Sequence, residues 1–236
     1  GEEQVRSKVS IFRNFLGKNS NGAQNHYWNA VKKITAEAMF QLGNLYTKEL
    51  KDYQNAETFY GMAVETGHID AMGHLGLLYH YILKEYKKAV KYYKMAVKKR
   101  APNYAAVNLA GLYQEVLKDY ENAEKYYLLA AKKDDASAMN GLAWLYFEQK
   151  IKKQEALGYA RRSVKKEKNI YTAHTLACIE LWKDQPEDAV QTAQEFMYAE
   201  ESYQHLEQDI LFYLMLLLAK HQHDSITEYF EASELD

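Results

Sequence analysis

A phrase of leucine, a small residue, two variable positions and tyrosine occurs four times at a nearly fixed interval: Leu42-Gly43…Tyr46, Leu75-Gly76…Tyr79, Leu109-Ala110…Tyr113 and Leu142-Ala143…Tyr146. Leu176-Ala177 continues the series with Glu180 in the tyrosine's place, and the steps are 33, 34, 33 and 34 residues. A second set of columns travels with the first: Ala56, Ala89, Ala123, Ala156 and Ala189, then Tyr60, Tyr93, Tyr127, Ala160 and Ala193, then Ala63, Ala96, Ala130, Ser163 and Phe196. Self-similarity at a period of roughly 20–50 residues marks a chain built from stacked copies of one small unit.

Spacing inside the repeat says what the unit is. Ala38, Leu42 and Tyr46 stand at i, i+4 and i+8, one stripe of a helix; Ala56, Tyr60 and Ala63 stand at i, i+4 and i+7, the stripe of a second. The polar run "TKELKD" at 47–52 separates them and reads as a turn, so the unit is a helical hairpin. A small residue beside each leucine suits a place where the paired helices come close, and a bulky one there is expected to destabilise by roughly 1–3 kcal/mol.

Composition agrees with helix throughout. Only Pro102 and Pro186 are present among 236 residues, where average usage gives roughly 12. The 21 tyrosines, with an apolar ring and a polar tip, suit half-buried positions between packed helices. The expected fold is all-α, an α-α superhelix (solenoid) of about seven antiparallel hairpins forming one domain over residues 1–236. Within it, residues 1–34 read as a degenerate N-terminal capping repeat, with 5–16 as its first helix and Ala23, Tyr27 and Ala30 on its second. Residues 35–202 read as five repeats, and 203–236 as a C-terminal capping helix pair in which "SITE" at 225–228 has the spacing of a capping box.

The columns resemble tetratricopeptide-type repeats and, within them, the SEL-one-like branch. "LGNLY", "LGLLY" and the Ala-x-x-x-Tyr-x-x-Ala columns are common to both, and "MAVETGHIDAMGHLGLLY" at 62–79 is similar to the SEL-one-like join between hairpins. The chain departs in a period shorter than the SEL-one-like one, in loops without that branch's glycines, and in lacking the proline that closes a tetratricopeptide repeat. The resemblance covers about residues 20–196 and implies a scaffold or adaptor that holds other proteins rather than a catalyst.

It also implies where a partner sits. In such stacks the first helix of each pair lines the inner wall, which assigns Phe40, Asn44, Thr47, Leu77, His80, Val107, Gln114, Asn140, Trp144 and Phe147 to a concave partner-binding groove. Side-chain amides there suit a peptide backbone, and Trp144 and Phe147 offer rigid apolar area. Tetratricopeptide co-chaperones grip a C-terminal carboxylate with lysine, arginine and asparagine on three successive repeats. Phe40, Asn44, His74, Tyr104 and Asn108 occupy the matching positions, and only Asn44 conforms, which argues against that mechanism.

Other chemistry finds little support. Cys178 is the one cysteine, which excludes an internal disulfide and a cysteine-based zinc site. No phosphate loop, nucleophile elbow or paired-carboxylate motif is present, His221 and His223 read as part of a turn, and neither an enzyme, a metal nor a cofactor is expected.

Charge is uneven: residues 1–179 hold 28 Lys and Arg against 18 Asp and Glu, residues 180–236 hold 2 against 14, and the net is −2. Basic runs at 84–100 and 151–168 fall mainly on second helices, so a nucleic-acid surface is a reading to weigh, although no base-reading module accompanies the lysines. A second alternative is self-association, with residues 203–236, which contain the apolar run "ILFYLMLLLA" at 210–219, forming a homodimer contact. That run is too short for a membrane span. The single cysteine favours a reducing, cytoplasmic setting, and Gly1 in place of methionine leaves an exported form open.

Overall fold

The computed structural model of the protein describes residues 22–99 and 101–197. The leading helix expected at 5–16, the terminal pair expected at 203–236 and any homodimer contact there lie outside the described residues.

Every regular element among the described residues is helical. The first hairpin is α1 (Gly22–Lys48) and α2 (Tyr53–Glu65); the second is α3 (Ile69–Leu77), prolonged by a π-helical turn over Leu78–Ile82, and α4 (Tyr86–Lys98). The third is α5 (Tyr104–Gly111), prolonged likewise over Leu112–Leu117, and α6 (Tyr120–Ala131). Then come α7 (Ala136–Glu148) with α8 (Lys153–Lys166), and α9 (Ile170–Trp182) with α10 (Pro186–Met197). The chain divides after Ala105 into two compact units, and within each the helices pack consecutively.

The repeat columns become the core. Ala56, Tyr60 and Ala63 of α2 and Ala89, Tyr93 and Ala96 of α4 are buried, as are Leu75, Leu109 and Leu142 of the first helices. The two glycines of the small-residue column each have a specific neighbour: a Cβ on Gly43 would strike the ring of Tyr60, and one on Gly76 the ring of Tyr93. The close approach is therefore between a backbone and a tyrosine ring, not between two backbones. Tyr127 follows a different course, since its ring lies against Gly141 of the next hairpin.

A further tyrosine column joins the two helices of the first three hairpins by ring stacking. Tyr46 stacks on Phe59 at 5.3 Å between ring centroids, Tyr79 on Tyr92 at 5.5 Å and Tyr113 on Tyr126 at 5.9 Å. The hydroxyls of Tyr79 and Tyr146 also donate to Glu57 and Glu124 on the preceding second helices, which ties one hairpin to the one before it.

Local chemistry ends and starts the helices. The turn inside the first three hairpins places Lys51, Lys84 and Lys118 at φ of 54°, 57° and 54°, the left-handed region that glycine usually takes. Asp52 and Asp119 then cap the second helices by accepting from the backbone N–H of Asn55 and Asn122, both at 3.1 Å. His68, Asp135 and Asn169 cap first helices in the same way.

One expectation meets a different arrangement. Ala23, Tyr27 and Ala30 were expected on a helix separate from that of Ala38, Leu42 and Tyr46, but α1 runs unbroken through residues 34 and 35. The segment "VKKITAEA" at 31–38 contains no glycine, proline or asparagine to end a helix, whereas three of the four later joins among the described residues carry Gly67, Pro102 and Asn169 and the fourth turns at Asp134, whose φ is 60°. Ile34, Leu42 and Leu45 of α1 are 69%, 38% and 45% exposed, although Leu75 and Leu78, one repeat later in the columns of Leu42 and Leu45, are buried.

Candidate functional site

In the unit that begins at Ala106, the first helices leave a cleft of about 530 Å³. Val107 of α5 and Gln114 of its π-helical extension line one side, Asn140 and Trp144 of α7 the floor, and Thr172 of α9 the far side. Asn140 and Trp144 stand at i and i+4, so one face of α7 carries both. These first-helix positions recur from hairpin to hairpin, which is why one open surface collects them.

Four of the ten residues assigned to a groove from the sequence line this cleft: Val107, Gln114, Asn140 and Trp144. Phe147 is not in the lining; it packs on Trp144 at 5.2 Å and on Trp182 at 5.8 Å between ring centroids, with Lys150 Nζ 3.8 Å above its ring.

Polar groups in the cleft differ in how far they are committed. Gln114 is buried and its Nε2 donates to Glu148 Oε2 at 2.5 Å. Asn169 Oδ1 accepts from the backbone N–H of Thr172 at 3.0 Å and its Nδ2 donates to Glu167 Oε1 at 3.1 Å, so the rim by α9 is fixed. Asn140 Oδ1 is buried and accepts from nothing; among the described residues it shares that condition only with Gln185 Oε1. Glu115 and Glu167 bring two carboxylates to the lining, and no lysine or arginine is part of it. None of these acidic contributors was singled out from the sequence, because the first-helix columns do not reach Glu167.

The assigned residues of the other unit are differently engaged. Phe40 is buried, stacked on His68 at 4.6 Å and set edge-on to His74 at 4.9 Å. Asn44 Oδ1 accepts from the Tyr60 hydroxyl at 2.8 Å, and Thr47 Oγ1 donates to the Gly43 carbonyl at 2.8 Å. Leu77 is half-buried. His80 is 4% exposed, enclosed by Tyr81, Tyr86 and Tyr93, and burial holds its ring toward the neutral form. These side chains build the hairpins. The positions weighed for a carboxylate clamp hold a packed aromatic group instead, with His74 6.0 Å from Tyr104 between ring centroids.

The basic runs face solvent on second helices but are partly neutralised. Lys88 pairs with Glu85 at 2.7 Å, Lys152 with Glu124, Arg162 with Asp134 at 3.6 Å and Lys166 with Asp134 at 2.6 Å. Cys178 is buried, and burial pushes its thiol up to about 12, the opposite of what a nucleophile requires. Among the described residues no three His, Cys, Asp or Glu side chains gather as metal ligands, and no helix is long and apolar enough to cross a membrane.

The tetratricopeptide-repeat family model matches residues 37–66, which are most of the first hairpin. No curated protein matches the chain in sequence. Among solved structures, PilF from Pseudomonas aeruginosa superposes with a TM-score of 0.62 at 19% identity over 86% of this chain and 99% of its own. A Sel1 repeat protein from Oxalobacter formigenes gives 0.55 at 22% identity over 67% and 71%, and YrrB, described as a TPR protein with an unusual peptide-binding site, gives 0.52 at 15% over 84% and 91%. At these identities the likeness is one of fold. The repeat columns, the consecutive helix packing and these superpositions give the chain an all-α helical-repeat fold similar to that of tetratricopeptide and Sel1 repeat proteins.

Proposed function

We propose that the protein is an interaction scaffold that holds an extended segment of another protein in the cleft between Val107 and Thr172. The observation that carries this reading is the joint presence, on one open surface, of a tryptophan face and a buried carbonyl without a donor, Asn140 Oδ1. A buried acceptor left unpaired costs roughly 1–3 kcal/mol, and a peptide N–H or a side-chain donor removes that cost on binding. Trp144 supplies rigid apolar area of the type that dominates hot spots. YrrB, similar in fold, is a tetratricopeptide protein described with a peptide-binding site, which supports the same use of such a surface.

Site-specific photo-cross-linking in source cells tests it. A photoreactive residue at Ser137, exposed on the cleft lining, is expected to capture a partner that Trp144→Ala abolishes. The same residue at Lys98, exposed on α4, is expected to capture nothing comparable. Capture at Lys98 alone would move the working surface to the basic second helices.

A further inference from the structure

We propose that this cleft selects its segment by charge: it takes a lysine or arginine side chain, laid along Trp144 with its donors directed to Asn140 Oδ1 and to the carboxylates of Glu115 and Glu167. The proposal rests on the reading of the cleft as a peptide groove and adds the chemistry of what enters it.

Three independent features agree. The first is the sign of the lining, which holds two carboxylates and no base. A third carboxylate, Glu148, lies directly behind, accepting from Gln114. Two of the basic residues near this rim in sequence are engaged elsewhere: Lys166 pairs with Asp134 and Arg162 with the same carboxylate. The second is the orphan acceptor. Asn140 Oδ1 asks for a donor, and lysine and arginine are side chains with donors alone, three on an ammonium and five on a guanidinium. The third is the ring. Trp144 is held by Phe147 and by His174, whose ring centroid is 5.7 Å away, and tryptophan is the best of the aromatic faces for a cation. Burial holds His174 toward its neutral form, so it brings no competing charge beneath the tryptophan.

Glu167 is placed for this role. Asn169, which caps α9, donates to its Oε1, and the helix start therefore orients a carboxylate at the cleft rim. A long aliphatic stem suits the arrangement, because the charged head must reach the carboxylates while the methylenes cover the indole. An acidic segment meets two like charges, which disfavours the chain's own residues 180–236, with 14 Asp and Glu against 2 Lys.

The test is selection from a random displayed-peptide library on the full chain, run in parallel on wild type, Trp144→Ala and Glu115→Gln/Glu167→Gln, each first shown to be folded by circular dichroism. Wild type is expected to enrich peptides with a lysine or arginine at a common position. A synthetic peptide from that pool is expected to bind about ten-fold more weakly to the double glutamine variant, more weakly as salt rises, and more weakly again when its arginine is replaced by citrulline. Asn140→Asp, which adds a charge and a second acceptor at the floor, is expected to bind the same peptide more tightly. Enrichment lost in Trp144→Ala but without preference for basic residues would overturn this proposal and leave the groove reading standing. Equal binding by the glutamine variant would do the same. No enrichment above that of Trp144→Ala would overturn both.

Discussion

The ring of Tyr93 occupies the space a side chain on Gly76 would need: a Cβ there would lie 2.5 Å from Tyr93 Cδ1 and 2.6 Å from Cε1. Tyr93 is fully buried and cannot swing aside, so Gly76→Ala is expected to destabilise by about 1–3 kcal/mol through overpacking. The same change in a Tyr93→Ala background is expected to cost much less, and a double-mutant cycle in urea isolates the difference. The chain already contains the relieved pairing, since Ala143 has Ala160 at the position that Tyr93 holds relative to Gly76. Additive effects would mean that the ring yields.

How far the sequence led can be judged from these same residues. The Leu-small-Tyr and Ala-Tyr-Ala columns were legible because a solenoid core repeats with its unit, and they place Leu75, Tyr93 and Ala96 in the core where the structure has them. The partner of Gly76 was not legible, because a small residue tells of crowding and not of what crowds it. The continuity of α1 was missed because periodicity gave equal support to two helices or one, and the deciding signal was the lack of a breaker at 31–38. Among the assigned groove residues, Val107, Gln114, Asn140 and Trp144 come together in the cleft while His80 turns into its hairpin. Glu167 could have been found only by asking which residues precede the cap of α9.

Lysine in the turns is a correctable strain. Lys84 sits at φ 57° and is exposed, so its side chain contributes little to offset the left-handed backbone. Lys84→Gly is expected to stabilise by about 0.5–1 kcal/mol, the relief of strain exceeding the entropy that glycine adds to the unfolded chain. At Lys91, in the middle of α4, the same substitution is expected to cost about 1 kcal/mol. Thermal melts of the two variants should move in opposite directions, and a fall in both would show that the turn is unstrained.

Cys178 reports on the integrity of the fifth hairpin. It is 2% exposed, its Sγ lies 3.6 Å from His174 Nε2, and burial pushes the thiol up to about 12. Iodoacetamide at mildly alkaline pH is expected to leave the folded protein unmodified and to add one label in denaturant, read by intact mass. Prompt labelling of the folded chain would mean that the helix pair opens readily.

Glu180 stands where the other first helices carry tyrosine, and it gives the fold a pH dependence of unusual sign. Its side chain is almost wholly buried; Thr192 Oγ1 donates to Oε2 at 2.8 Å, and Arg161 Nη2 lies 3.4 Å from Oε1 and 3.3 Å from Asp188. Burial raises its pKa, with the Asp188 carboxylate acting in the same direction, and the hydrogen bonds from Thr192 and Arg161 recover only part of the shift. A carboxyl with a raised folded-state pKa holds a proton that the unfolded chain has already released. Its stabilising contribution is therefore complete at acid pH and is lost as pH rises from the ordinary glutamate range, about 4.3, through the raised value. Glu180→Gln keeps an acceptor for Thr192 and cannot ionise. Its stability relative to wild type is expected to improve as pH rises above the ordinary glutamate range and to level off once the raised value is passed, measured as urea midpoints at a series of pH values. A constant difference across that range would mean that Arg161 compensates the buried charge in full, and Arg161→Met, which removes that compensation, would then bring out the slope.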